Sequence, residues 1–396
     1  MDLQWKSKSP EYAQARQQIE SFTQSYIANA DQAKGTRGTV YHIPVVVHII
    51  HNGEAIGSGA NISVAQIKSQ IDVLNKDYRK KNTDSLLTSH AFYGATADCE
   101  IDFCLATKDP NGNYTTGIDR FDYNKAGYDY NDIDGIIKPN TVWDHTRYLN
   151  MWVCTFGGSA SSLLGYAMPP GSPADVDGVV ISTTSFGNVG NVAAPYNKGR
   201  TATHEVGHFL NLEHVWGDVF CGDDLVADTP PAEDANYGCP NFPFNANSTC
   251  GAGPSGEMYM NYMDYTDDAC MKMFTAGQKN RMRAVLSTGG ARYSLTTSNA
   301  CQWPLALSEA SQQTKLTIFP NPSTSHFYIQ SGVDFTTDTK FHLVNAIGQD
   351  ITSQCTFRKE APNRYYLSTT RLTPGTYFVQ VVSKESSLVK SITVIQ

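Results

Sequence analysis

The chain has 396 residues, a formal net charge of −8, 40% hydrophobic and 17% charged residues. At about 100–200 residues per domain this length gives two or three domains with sizeable cores, and 21 Tyr, 31 Gly and 18 Pro describe a loop-rich, partly β globular chain, not a disordered or coiled-coil one. The acidic balance, without any dense Lys/Arg run, sets aside nucleic acid and anionic membrane as partners.

The longest apolar stretch, Val45 to Ile50, is interrupted by His48 and falls far short of the roughly 20 residues of a membrane-spanning helix. Met1 is followed at once by Asp2, so no signal peptide stands in this numbering: either the chain is cytosolic or a signal has been removed. Cysteine usage favours the second. Cys221, Cys239, Cys250 and Cys270 crowd one loop-rich region without the close CxxC pairs of a zinc knuckle, which reads as disulfide bonding and an extracytoplasmic location, against the alternative of buried free thiols. Spacing alone leaves three connectivities open for four cysteines. Nine cysteines in all leave at least one without an intrachain partner.

In chain order, residues 1 to about 40 are polar, with a helix expected over Pro10 to Ala30. Tyr41 to Ile50 is a β-branched run typical of a buried strand, with Pro44 tolerable only near its start. Ser63 and Gln66 form a capping box opening a helix whose apolar face is Ile67, Ile71, Leu74 and Tyr78. Further β-rich runs at Ile101 to Ala106, Leu149 to Phe156 and Gly178 to Thr183 alternate with helical or loop segments, predicting an α/β layer. A helix follows over Gly199 to Leu212, then turns from Cys221 to Cys270, then a helix over Thr275 to Leu286. Past Cys301, short alternating strands at Leu316 to Phe319, Phe327 to Gln330, Lys340 to Asn345, Tyr377 to Val382 and Ser391 to Ile395 predict a separate antiparallel β-sandwich.

The chemistry concentrates at His204-Glu205-Val206-Gly207-His208, followed by His214. Histidines four apart project from one helical face, so both imidazoles reach one ion while the intervening Glu points toward its open side. Three nitrogen ligands leave a fourth position for water. Zinc suits the set, being borderline-soft and commonly tetrahedral, and it lowers the pKa of bound water toward about 7. Glu205 can then take the proton and pass it to a leaving amine.

These residues, with Met263 downstream, resemble the metzincin clan, whose chain turns sharply between the second and third ligands. The clan has Gly where this sequence has Asn211, the side-chain-bearing residue that best tolerates positive φ. More narrowly, His204 to Gly217, the Cys221 to Pro230 loop and Asn261-Tyr262-Met263-Asp264-Tyr265-Thr266-Asp267-Asp268 resemble the pappalysin family, over about Val40 to Leu286. The resemblance implies a metzincin-type zinc peptidase domain of α/β (α+β) class. It makes Met263 an apolar floor beneath the ligands and sets Tyr265 beside the metal to steady the transition state. Asp268 falls in the pocket that receives the residue after the cut bond, where a carboxylate favours Arg, and less strongly Lys. It also implies a calcium loop with Asp224, the Val226 carbonyl and Thr229 as ligands, and disulfides pairing Cys221 with Cys250 and Cys239 with Cys270.

Phe319-Pro320-Asn321-Pro322-Ser323, the Gly375-Thr376-Tyr377 turn and the terminal β run resemble the sorting domain of type IX secretion, implying the secretion machinery as a partner. An adhesive or carbohydrate-binding sandwich is the competing reading. The N-terminal segment reads as a short propeptide. It has no cysteine to ligate zinc, Asp31 is the acidic group available to do so, and the Thr36-Arg37 bond suits self-cleavage. The expected organisation is a propeptide-like segment at 1–39, a catalytic domain at 40–300, a linker at 301–314 and a sorting sandwich at 315–396. The expected function is a secreted or surface-attached zinc endopeptidase acting on extracellular proteins or peptides. A zinc-containing surface adhesin without peptidase activity and a hydrolase of non-peptide bonds stand as alternatives. An intact Glu205, with no fourth protein ligand adjoining the motif, speaks against the adhesin.

Overall fold

The computed structural model describes residues 10–30, 39–113, 115–301, 316–332, 334–337, 339–345, 350–382 and 387–395. It divides into two compact units, Met1–Cys301 and Gln302–Gln396.

The first unit is organised around β1 (Tyr41–His51). Ile43, Val45, Val47 and Ile49 enter the main core, while Val46 and Ile50, on the opposite face, enter two smaller ones. Burial from both sides is what a nearly continuous apolar run requires, and it suits the middle of a parallel sheet. β1 accordingly pairs in parallel with β4 (Leu149–Cys154) along one edge, and with β2 (Ile101–Leu105) and then β3 (Ile118–Asp122) along the other. β6 (Val179–Ser182) continues the parallel set beyond β4, and β5 (Gly165–Ala167) closes that side antiparallel to β6. β3 and β5 are absent from the sequence reading. β3 reads Ile-Asp-Arg-Phe-Asp, and β5 has three residues, too few to show a period.

The helix α1 spans Pro10–Ala30 and α2 spans Val64–Asp77. Ser63 caps α2 by accepting from the Gln66 N–H. The expected capping box is only half formed, because the Gln66 side chain turns inward and donates to the Thr183 and Phe186 carbonyls. Gln70 likewise donates to the Gly199 carbonyl and accepts from the Gly187 N–H. Two glutamines diverted from their own helix therefore fix the loop that delivers α3 (Arg200–Phe209). Nine residues of α3 are buried, so tertiary packing, not propensity, holds this ten-residue helix.

Thr275 caps α4 (Ala276–Leu286) in a complete capping box with Gln278. Gln278 also exchanges hydrogen bonds with the Asn261 side chain, whose Oδ1 accepts from the Met263 N–H. Between α3 and α4 the chain is mostly turns, with Cys221–Cys250 and Cys239–Cys270 bonded in the pairs the resemblance implies. Cys104–Cys301, unassigned from sequence, is also bonded, and Cys99, Cys154 and Cys355 are free thiols.

In the second unit a four-stranded antiparallel sheet has the order β10 (Thr356–Ala361), β11 (Arg364–Ser368), β8 (His326–Gln330), β7 (Thr317–Phe319). A three-stranded one has the order β13 (Ser387–Val394), β12 (Gly375–Val382), β9 (Lys340–Asn345). Phe327, Ile329, Leu343, Leu367, Val379, Val381 and Ile392 fill one shared core, as in a β-sandwich. β10 and β11 escaped the sequence reading because Arg358, Lys359 and Glu360 stand in a row in β10 and Arg364 opens β11, which masks the alternation. No helix among the described residues is long and apolar enough to cross a membrane.

The Thr275 hydroxyl both caps α4 and donates to Asp228 Oδ1 at 2.6 Å. Thr275→Ala is expected to lower stability by about 1–2 kcal/mol, read as a lower urea midpoint at unchanged slope; an unchanged midpoint would dismiss the cap as a stabilising element.

Candidate metal centre and cleft

His204 and His208 sit one turn apart on α3, and the chain leaves the helix through Asn211 in the left-handed region, at φ 77°. That reversal brings His214 back, so that its Nε2 lies 3.0 Å from His208 Nε2, which is in turn 3.1 Å from His204 Nε2. The other nitrogen of each ring is committed. His204 Nδ1 donates to the Tyr262 carbonyl at 2.7 Å, His208 Nδ1 to the Leu212 carbonyl at 2.8 Å and His214 Nδ1 to Asp218 Oδ1 at 2.5 Å. Three Nδ1–H tautomers leave three Nε2 lone pairs converging on one point, a mutually repulsive set unless a cation sits among them. Four tetrahedral ligands at zinc–nitrogen length stand about 3.3 Å apart, close to the spacing here. Burial, then the neighbouring imidazoles, pull the His214 pKa down to about 4 and that of His204 well below the usual histidine range, so these two rings stay neutral and fit to ligate.

Glu205 is buried and lies against β5: a Cβ placed on Gly165 would come 2.9 Å from its Cγ and 3.0 Å from its Oε1. Burial pushes this carboxyl up to about 8, and a divalent cation at the histidines would draw it back down. Met263 is fully buried beneath the helix, its Sδ so near Gly207 that a Cβ there would clash. Trp216 stacks on His214 with ring centroids 4.3 Å apart. The Tyr265 ring lies 4.9 Å from His214 and 5.5 Å from His204. Asp264 accepts from the Tyr265 N–H and from both the backbone and side chain of Asn236, which pins that turn. Burial, then the Glu205 carboxylate, raise the Tyr265 pKa, so its hydroxyl keeps its proton as a donor.

Two cavities meet at Glu205 and Gly165. One, of about 540 Å³, is lined by the three histidines, Asp134, Tyr166, Glu213 and Arg16. The other, of about 360 Å³, is lined by Leu163, Leu164, Tyr196, Tyr237 and Asp268. Asp268 Oδ2 accepts from the Lys198 and Arg200 N–H groups at the start of α3, at 2.7 and 3.2 Å, while its Oδ1 is buried without a hydrogen-bond partner. Burial lifts its pKa to about 6, against those two N–H donors.

Asp224, the Val226 carbonyl and Thr229 also come together. Thr229 Oγ1 lies 2.8–2.9 Å from both Asp224 oxygens and 2.8 Å from the Val226 carbonyl. A hydroxyl has one proton for these three acceptors, and burial pushes Asp224 up to about 7. Asp31, Thr36 and Arg37 lie outside the described residues.

The sequence reading missed Asp218, although it stands four residues past the third ligand. That spacing points at an interaction only inside a helix, and this segment is all turns. The Tyr262 and Leu212 carbonyls carry no side-chain signal at all. Removing the acceptor that orients His214, as in Asp218→Ala, is expected to weaken zinc affinity about 10–100-fold. Competition with a chromogenic chelator would measure this, and an unchanged affinity would remove Asp218 from the centre.

Residues 132–287 match the family described as pregnancy-associated plasma protein-A, and residues 317–395 match the secretion system C-terminal sorting domain. An extracellular metalloprotease of Colletotrichum graminicola is 31% identical over 273 residues, covering 67% of this chain and 85% of its own length. The structure of mature mirolysin from Tannerella forsythia in complex with a cleaved peptide is 44% identical, with a TM-score of 0.61 over 66% of this chain and 97% of that one. A promirolysin mutant from the same organism is 40% identical, with a TM-score of 0.61 over 74% and 96%.

Proposed function

The chain belongs to the pappalysin family of metalloendopeptidases, and on that premise we propose that it cuts extracellular proteins or peptides on the amino-terminal side of Arg, less readily of Lys. The sorting-domain match and the extracellular relatives make it a secreted or cell-surface protein. We assign residues 40–300 to catalysis, 315–396 to export, and 1–39 to a prosegment.

The observation that carries this function is the convergence of three Nε2 atoms at a cleft whose wall also carries Glu205. Zinc held there supplies Lewis acidity toward a water molecule and the scissile carbonyl. Glu205 takes the proton of the attacking water and delivers it to the departing amine. Tyr265 donates its hydroxyl proton in a hydrogen bond to the developing oxyanion. The edge of β5 offers backbone groups to an extended peptide, which orders the scissile bond beside Glu205. Glycine at 165 leaves Glu205 the room it needs on that edge. Asp268, a lining residue of the smaller cavity with one oxygen held by the start of α3 and the other buried without a hydrogen-bond partner, suits a guanidinium better than an apolar side chain. The Asp224, Val226 and Thr229 oxygens supply hard donors for calcium.

A mixed peptide library digested by the purified chain, with cut sites read by mass spectrometry, tests the whole. Glu205→Ala is expected to keep zinc and lose at least about 10²–10⁴-fold in rate, and Asp268→Asn to keep cutting while losing the preference for Arg. A Glu205→Ala chain that cuts normally would end the mechanism; an Asp268→Asn chain still selective for Arg would end the pocket assignment. Added calcium is expected to raise the melting temperature of the wild-type chain and leave that of Asp224→Ala unmoved. Equal shifts in both would remove the calcium assignment.

A further inference from the structure

A guanidinium stands in the wall of the larger cavity. Arg16, on α1, donates from Nη1 to Asn211 Oδ1 at 2.7 Å and to the Pro170 carbonyl at 3.3 Å, and from Nη2 to Glu213 Oε1, itself a lining residue, at 3.4 Å. The Arg16 and Glu213 side chains are 15% and 14% exposed, so the pair is largely withdrawn from water. Around them the cavity wall is acidic, with Asp134, Glu205, Glu213 and Asp218, and Arg16 is its one Lys or Arg among the lining residues. The acceptors belong to the zinc-binding turn and the chain following β5, and the Asn211 amide also donates to Thr23 of α1 at 3.3 Å. Asn211 is central: it stands where metzincins have glycine, and the side chain gained there supplies the shortest of the three bonds.

We propose that Asn211, Glu213 and the Pro170 carbonyl form a second basic subsite, which takes an Arg or Lys side chain of the substrate on the amino-terminal side of the cut bond and which Arg16 fills as an internal mimic. The side of the bond follows from the preceding functional reading, which puts Asp268 after it; the chain before Gly165, at Leu163 and Leu164, lines the Asp268 cavity, and the chain after it, from Tyr166 to Pro169, lines the other. The enzyme then selects for two basic residues flanking one bond, with α1 competing for the first of them.

Arg16→Ala in the full chain vacates the subsite without releasing α1. That helix keeps the Glu20 pair with Arg281, at 2.8 and 2.9 Å, and the contact of Ile19 with Gly171. Matched fluorogenic peptides carrying Arg after the scissile bond would be scanned with Arg, Ala or Glu at each of the preceding positions. Arg at one such position is expected to raise kcat/KM about tenfold over Ala in the Arg16→Ala chain, less in wild type, and by less than about twofold once Glu213→Gln is added. Each ratio is taken within one variant, so a general loss of activity cancels. The same peptides binding to an Arg16→Ala chain that also carries Glu205→Ala, followed by fluorescence polarisation, give the ratio without turnover. Equal kcat/KM and equal binding for Arg and Ala at every preceding position would overturn the subsite, as would a preference that Glu213→Gln leaves intact. Failure of the Asp268 pocket is read separately, as indifference to the residue after the bond, and does not touch the ratios before it.

Discussion

Three imidazoles with their lone pairs aimed at one point repel each other, and the surrounding fold is arranged to hold them there. Each ring is fixed through its far nitrogen, two by backbone carbonyls and one by Asp218. Those acceptors come from three places: the turn at Tyr262, the helix exit at Leu212 and the bend at Asp218. The constraint therefore extends outward. Tyr262 is itself anchored by its hydroxyl on Asp77 of α2, which also accepts from Thr203 and pairs with Arg200 of α3. Burial pushes Asp77 up to about 6 against the Arg200 charge, so the same ion pair that ties α2 to α3 keeps this carboxylate ionised and able to accept.

The cleft has a comparable economy. β5 is only three residues long, yet as the antiparallel edge it offers unpaired backbone beside Glu205, and the missing side chain at Gly165 lets the two approach. Cavities to either side differ in character. One is acidic and walled in part by Arg16; the other is lined by leucines and tyrosines, with Asp264 and Asp268 beside the shared Glu205. Turns from residue 217 to 270 supply Asp218, Tyr237, Tyr265 and Asp268 to these walls without regular structure to hold them. Disulfides closing loops with sequence separations of 29 and 31 take their place, each worth about 3–4 kcal/mol by chain-entropy reasoning. A polar cluster of the buried Asp264, Asn236 and Glu257, joined by Asn245, ties these turns together, with Asp264 accepting from the Asn236 N–H and Glu257 from the Glu233 N–H.

In the local elements, sequence and structure agree where a pattern is long or a cap is complete. β1 declares itself by eleven mostly β-branched residues, and α4 by Thr275 and Gln278. Ser63 and Gln66 have the same letters as a capping box but not its outcome, because the Gln66 amide finds buried carbonyls in the 183–186 loop that no local reading could foresee.

The sequence by itself determined the paired histidines, the glutamate between them and the helix that spaces them, because a four-residue interval on a helix is a local geometric fact. It determined as well that a second unit of alternating strands follows the first. Tertiary structure alone decided what each ligand leans on, which wall each carboxylate faces and which residue fills the acidic side of the cleft. Asp218, Asp77, Gly165 and Arg16 meet the centre from distant or irregular segments, and their letters carry no spacing that announces it. Hydrogen bonds to backbone carbonyls and the approach of one chain segment to another depend on where the whole chain goes, which only the folded packing of β1, α2 and α3 establishes.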